Sequence, residues 1–101
     1  MVKHVVCWQL KPDFSPVEKQ EKLQLMSKAL LDLKGKIPVI RAIEVGINDS
    51  AIDPNNFDIC LIVTFDSAED LQLYQQHPEH LLVKDLVKAL AYSRACVDYN
   101  F

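Results

Sequence analysis

Val2-Lys3-His4-Val5-Val6-Cys7-Trp8-Gln9-Leu10 alternates with period two: Val2, His4, Val6, Trp8 and Leu10 share one face, Lys3, Val5, Cys7 and Gln9 the other. Both faces are largely apolar, which predicts a central strand covered on both sides. A turn at Lys11-Pro12-Asp13-Phe14 ends it. Ser15-Pro16-Val17-Glu18 then supplies three agreeing helix-start signals: a capping Ser15, Pro16 at the first helical position and Glu18 to close a capping box. That helix is expected to reach about Lys34, with Leu23, Met26, Leu30 and Leu33 as its buried seam and Gly35 as its stop. Ile37-Pro38 leads into a second predicted strand over residues 39–47, followed by a solvated loop over 48–56. Residues 57–65 form the third strand; almost wholly apolar beyond Asp58, it is the other central one.

Ser67-Ala68-Glu69-Asp70 opens a short second helix through about Gln76. Pro78 disfavours helical geometry at His77, so the chain breaks and restarts over about 79–91, burying Leu82, Leu86 and Leu90 with Val83 and Val87 alongside. A last strand covers 92–100. The order β-α-β-β-α-β is that of a ferredoxin-like α+β subunit, a four-stranded antiparallel sheet with its helices on one face. The sheet reads as apolar on both sides, and helices cover only one. The uncovered face calls for a partner, most simply a second copy packed sheet to sheet as a homodimer.

Length and charge narrow the function classes. The 101 residues make one domain, 1–101, with half of them apolar and a quarter charged. A net charge of −3 with dispersed lysines argues against a nucleic-acid partner. No apolar run is long enough to span a bilayer, and Met1-Val2-Lys3-His4 leads directly into a strand, so a cytoplasmic protein without membrane contact is expected. Cys7, Cys60 and Cys96 lack CxxC spacing and read as reduced, buried thiols.

Several stretches carry a family likeness: Val2-Lys3-His4-Val5-Val6, Ile37-Pro38, Val45-Gly46-Ile47-Asn48, Phe65-Asp66-Ser67, Tyr74 with His77-Pro78-Glu79-His80, and Val97-Asp98-Tyr99. Together they resemble the stress-responsive dimeric α/β-barrel (Dabb) domain family over nearly the whole chain. The resemblance implies a dimer of ferredoxin-like subunits whose sheets close into a barrel. It also implies cofactor-independent chemistry. A plant polyketide cyclase of that family closes a linear poly-β-ketone thioester by aldol condensation, and its functional tyrosine, final histidine and strand-one histidine match Tyr74, His80 and His4.

The residues themselves support that chemistry on physical grounds. Aldol-type closure needs a base for an acidic α-proton and a donor for the developing oxyanion. A neutral His80 imidazole and the Tyr74 phenol meet both needs with no metal or cofactor. His80 sits near a helix N-terminus, where the dipole favours the neutral ring. The alternative is that the histidines cap the helix broken at Pro78 while Tyr74 packs on the sheet. His4, on an otherwise apolar face, is either a hydrogen-bonded core residue or the polar point of a pocket. In the pocket reading His4 orients a substrate oxygen, Trp8 walls the cavity and His77 joins it in binding a small apolar or carbonyl-containing ligand. His77, Glu79, His80 and His4 do not have the spacing of a helical zinc motif. Arg41 and Arg94 are expected to pair with Glu44 or Asp98. Tyr99 and Phe101 read as packing at the dimer or barrel edge. A non-catalytic stress-related or structural dimer is the competing function, and a cofactor-free monooxygenase the third.

Overall fold

The alternation of the first strand appears directly as burial. In the computed structural model, which describes Met1 to Phe101, β1 (Val2–Leu10) buries Val2, His4, Val6, Trp8 and Leu10 and half-buries the residues between. The remaining elements are α1 (Pro16–Asp32), β2 (Ala42–Ile47), β3 (Ile59–Phe65), α2 (Ala68–Gln76), α3 (Pro78–Leu90) and β4 (Ala91–Asn100). The strands form one antiparallel sheet in the order β2-β3-β1-β4, so β1 and β3 are the central pair, as their two apolar faces require. This is the ferredoxin-like α+β subunit. The core lies between the inner sheet face and the helices and centres on Tyr74, Phe65, Met26 and Leu33, all without solvent contact.

Local chemistry sets the element ends. Ser15 and Glu18 form both halves of the expected capping box at α1. Gly35 does not act as a left-handed stop: no residue has positive φ, and the helix instead tightens into a 3-10 turn over Leu33–Gly35. The amides of Lys36 and Ile37 both bond the Leu33 carbonyl, which keeps Leu33 in the core while the chain turns. β2 starts at Ala42 rather than at residue 39, because a turn carries Ile40 into the core and the Ile40 amide bonds the Ile37 carbonyl. At α2, the Ser67 hydroxyl accepts from the Asp70 amide.

The chain breaks at His77, which is extended with φ −67° and ψ 136°, and restarts at Pro78. The buried seam of α3 runs through Val83, Val87 and Leu90, spaced four and three residues apart. Leu82 was expected inside and is 66 % exposed, since it lies about 100° around the helix from Val83. The thiols also depart from expectation. Cys7 and Cys60 face one another across β1 and β3 on the helix-free side and are only half-buried, and Cys96 on the edge strand is exposed.

Asp58 explains why β3 begins at Ile59. Its amide bonds the Trp8 carbonyl, its Oδ2 accepts from the Leu10 amide at 2.8 Å, and its Oδ1 meets Lys19 Nζ at 2.7 Å. The side chain thus ties the end of β1 to α1. Asp58→Ala leaves the Leu10 amide unpaired next to the core, so the expected loss is about 1–3 kcal/mol. Denaturant unfolding measures it; a midpoint equal to the wild type would show that the carboxylate holds nothing.

Candidate functional site

The break between α2 and α3 builds one end of a pocket. It leaves Tyr74 in the last turn of α2 and His80 in the first turn of α3, with their ring centroids 4.5 Å apart. Tyr74 also packs on Phe65 at 5.1 Å and meets the His4 ring edge-on at 6.1 Å. The pocket has a volume of about 480 Å³ and lies between β1, the edge of β4 and α3. His4, Tyr74, His80 and Trp8 all line it, with Val6, Leu30 and Leu61 forming apolar wall and floor. Four of the five residues singled out from sequence are therefore gathered in one place.

The fifth is elsewhere. His77 does not line the pocket; its Nδ1 accepts the Glu79 amide at 3.1 Å and caps α3. The capping alternative describes His77, and the pocket describes His80.

Hydrogen bonding fixes which nitrogen of each pocket histidine carries the proton. His80 Nδ1 lies 3.1 Å from the Gln75 carbonyl, which only accepts, so Nδ1 is the donor and Nε2 keeps the lone pair. His4 Nδ1 lies 2.5 Å from Asp98 Oδ1, its cross-strand neighbour, and donates to the carboxylate, which again leaves Nε2 basic. Burial lowers the His80 pKa from its ordinary value, helped by His4, Lys84 and Arg94 and opposed by the Gln75 bond. His80 is thereby held as a neutral base. Burial pushes the Tyr74 phenol up to about 12, so it stays a donor. Its hydroxyl is buried and meets no protein hydrogen-bond partner. Buried polar groups rarely go unmatched, and this one stands at a cavity.

Some of the lining was not anticipated. Arg94 makes no ion pair with Glu44 or Asp98 and lines the pocket instead, and Arg41 pairs with Asp66 at 2.9 Å. Lys84 and Lys88 of α3 join it. The signal was present in the spacing: His80, Lys84 and Lys88 repeat every four residues on one helical stripe, and Arg94, Cys96 and Asp98 alternate onto the face of β4 that carries His4's partner. The side chains whose donor atoms converge as a metal's ligands would are His4, Cys96 and Asp98, within 4.8 Å of one another, not the His77–His80 segment. Burial and the Asp98 carboxylate push the Cys96 thiol up, which favours its protonated form.

A ferredoxin-like subunit with an apolar pocket floored by its own sheet defines the class of protein. Residues 2–101 match the Stress responsive A/B Barrel Domain (Dabb), and the chain belongs to that family. A dimeric protein of unknown function and ferredoxin-like fold from Bacteroides fragilis is 39 % identical over 99 % of this chain and 95 % of its own, with a TM-score of 0.89. A hydroxynitrile lyase from Passiflora edulis is 18 % identical over 97 % of this chain and 90 % of its own, TM-score 0.80. An antibiotic biosynthesis monooxygenase is 15 % identical over 100 % of this chain and 98 % of its own, TM-score 0.77. The last two share the fold. Among curated proteins, none matches this sequence. No helix is long and apolar enough to cross a membrane.

Proposed function

We propose that this chain is a homodimeric, cofactor-independent enzyme of the cyclase or lyase type, acting on a carbonyl compound held between sheet and helices. The observation that carries this reading is the buried Tyr74 hydroxyl, unpartnered within the protein, on a ring that packs against the His80 imidazole at a pocket. In the forward direction His80 Nε2 takes a proton from the carbon next to a ketone. The C–H electron pair becomes an enolate whose oxygen accepts from the Tyr74 hydroxyl. The enolate carbon attacks a second carbonyl carbon; the new C–C bond forms, and the alkoxide takes its proton back from the imidazolium. The reverse sequence is a lyase reaction, in keeping with the lyase named among the fold neighbours. His4, oriented by Asp98, offers its Nε2 lone pair to a hydroxyl of the substrate and so orients that oxygen.

The homodimer rests on the sheet face that carries no helix, where Val5, Cys7, Cys60 and Ile62 are half-buried and Val97 and Tyr99 are exposed, and on the dimeric state of the Bacteroides relative.

The first step alone makes a test. In D₂O the protein should exchange the α-hydrogens of 2-decanone, followed by proton NMR, well above the rate in buffer. A rate equal to that in buffer sinks the enzyme reading and leaves a non-catalytic dimer, for which the His77 cap is the favouring observation. Oxygen consumption with a phenolic substrate would point instead to a cofactor-free monooxygenase.

A further inference from the structure

The charge on the pocket wall runs against the charge of the chain. The protein holds 11 Lys and Arg against 14 Asp and Glu. Yet Lys84, Lys88 and Arg94 line the pocket, and no acidic residue does. None of these three cations has a carboxylate within ion-pair distance, whereas Lys19, Lys28, Lys36 and Arg41 do. The nearby acid, Asp98, is bonded to His4. Lys84, Lys88 and Arg94 are exposed at the mouth of the cavity, and unpaired cations at the mouth of an apolar cleft raise the local potential for an anion, because low-dielectric walls focus the field. That Lys84 and Arg94 bear on the His80 proton places them within electrostatic reach of the reacting end.

We infer that the pocket selects an anionic substrate, an apolar oxo-acid whose carboxylate sits among Lys84, Lys88 and Arg94 while its ketone reaches Tyr74 and His80. This rests on the carbonyl-binding reading above and adds the substrate class. The apolar body lies along Val6, Trp8 and Val87. The cavity volume of about 480 Å³ suits a ligand of that size. Along α3, Lys84 and Lys88 stand about 6 and 12 Å beyond His80 at 1.5 Å per residue. The carboxylate is therefore several bonds away from the reacting carbon, not next to it. Arg94 closes the group from β4 and offers a planar fork for the carboxylate.

Trp8 is the only tryptophan and lines the pocket, so its fluorescence reports occupancy. Decanoate, 1-decanol and decyltrimethylammonium share an apolar chain and differ in charge. The expected result is that wild-type protein binds decanoate about tenfold or more tightly than decanol, a preference of about 1.4 kcal/mol. The cation should bind weakest. K84Q/K88Q/R94Q should bring decanoate to within about twofold of decanol without changing decanol binding, while K84R/K88R/R94K keeps the preference. Added salt should weaken decanoate and leave decanol alone. Equal binding of decanoate and decanol by the wild type, or a preference that survives the glutamine substitutions, overturns the anion inference and leaves the carbonyl pocket standing. If none of the three probes alters Trp8 fluorescence, the pocket reading fails together with this one.

Discussion

His80→Ala lowers the exchange of 2-decanone α-hydrogens by about 10²- to 10⁴-fold, the range that a positioned general base contributes. The fold survives the change. His80 is half-buried, and the bond it loses, to the Gln75 carbonyl, is worth about 0.5–1.5 kcal/mol. A large loss of exchange with a modest loss of stability therefore identifies His80 as a site residue. A large fall in melting temperature with exchange unchanged would make it a structural one. The pH profile gives an independent reading. Because burial lowers the His80 pKa from about 6.5, the ring stays neutral to a lower pH than a free imidazole, and exchange should hold below pH 6.5 before it falls. The stability sign agrees. Protonation is harder in the folded state, so the unfolded chain binds more protons below pH 6.5. The protein should lose stability as pH falls through that value, and His80→Ala should flatten part of the slope. An exchange rate that already declines above pH 6.5 would remove His80 as the base.

What could be read from the sequence follows from how local each signal is. The two-sided apolarity of β1 and β3, the Ser15 cap and the break before Pro78 are near-neighbour effects, and each appears where the residues put it. The misses need tertiary contact. Residues 39–41 have strand chemistry, but the core draws Ile40 inward; residues 57 and 58 alternate correctly, but Asp58 turns to hold Leu10 and Lys19. Leu82 looked like core because apolar residues crowd that segment, and only the helix rotation set at the His77 break decides which of them face in. The same limit applied to the site. Tyr74, His80, His4 and Trp8 were legible as chemistry-bearing side chains on inward faces. The roles of Asp98 and Arg94 depended on cross-strand register, which places Asp98 opposite His4 and Arg94 opposite Trp8. His77 and His80 are three residues apart and look alike in sequence, and each ring bonds the backbone through Nδ1, yet only His80 lines the pocket.

Tyr74→Phe should abolish most of the chemistry and leave the protein at least as stable. Removing one donor to a developing oxyanion typically lowers the rate by about 10²- to 10³-fold, and Tyr74 is the pocket donor packed against the His80 ring. Ordinarily, deleting a buried tyrosine hydroxyl breaks a hydrogen bond and costs about 1 kcal/mol. Here the hydroxyl has no protein partner to lose, and the ring, in contact with Phe65, His4 and His80, keeps its packing. Relief of an unmatched buried group is worth up to about 1–3 kcal/mol, and in a domain of this size each kcal/mol moves the melting temperature by about 4–8 °C. The expected outcome is a melting temperature equal to or above that of the wild type, with ketone exchange down by at least about 100-fold. The alkaline limb should change as well. Burial holds the phenol near 12 in the folded protein against about 10 in the unfolded chain, so the wild type loses stability as pH rises above 10, and the phenylalanine variant should lose less. Tyr74→Ala separates ring from hydroxyl, because emptying a site with no solvent contact costs about 3–5 kcal/mol whatever the function. A Tyr74→Phe protein that melts well below the wild type would mean that the hydroxyl serves the fold, and the oxyanion role would fall with it. A hydroxyl that adds nothing to stability but carries the exchange acts on the ligand, and this pair of variants measures that difference at one position.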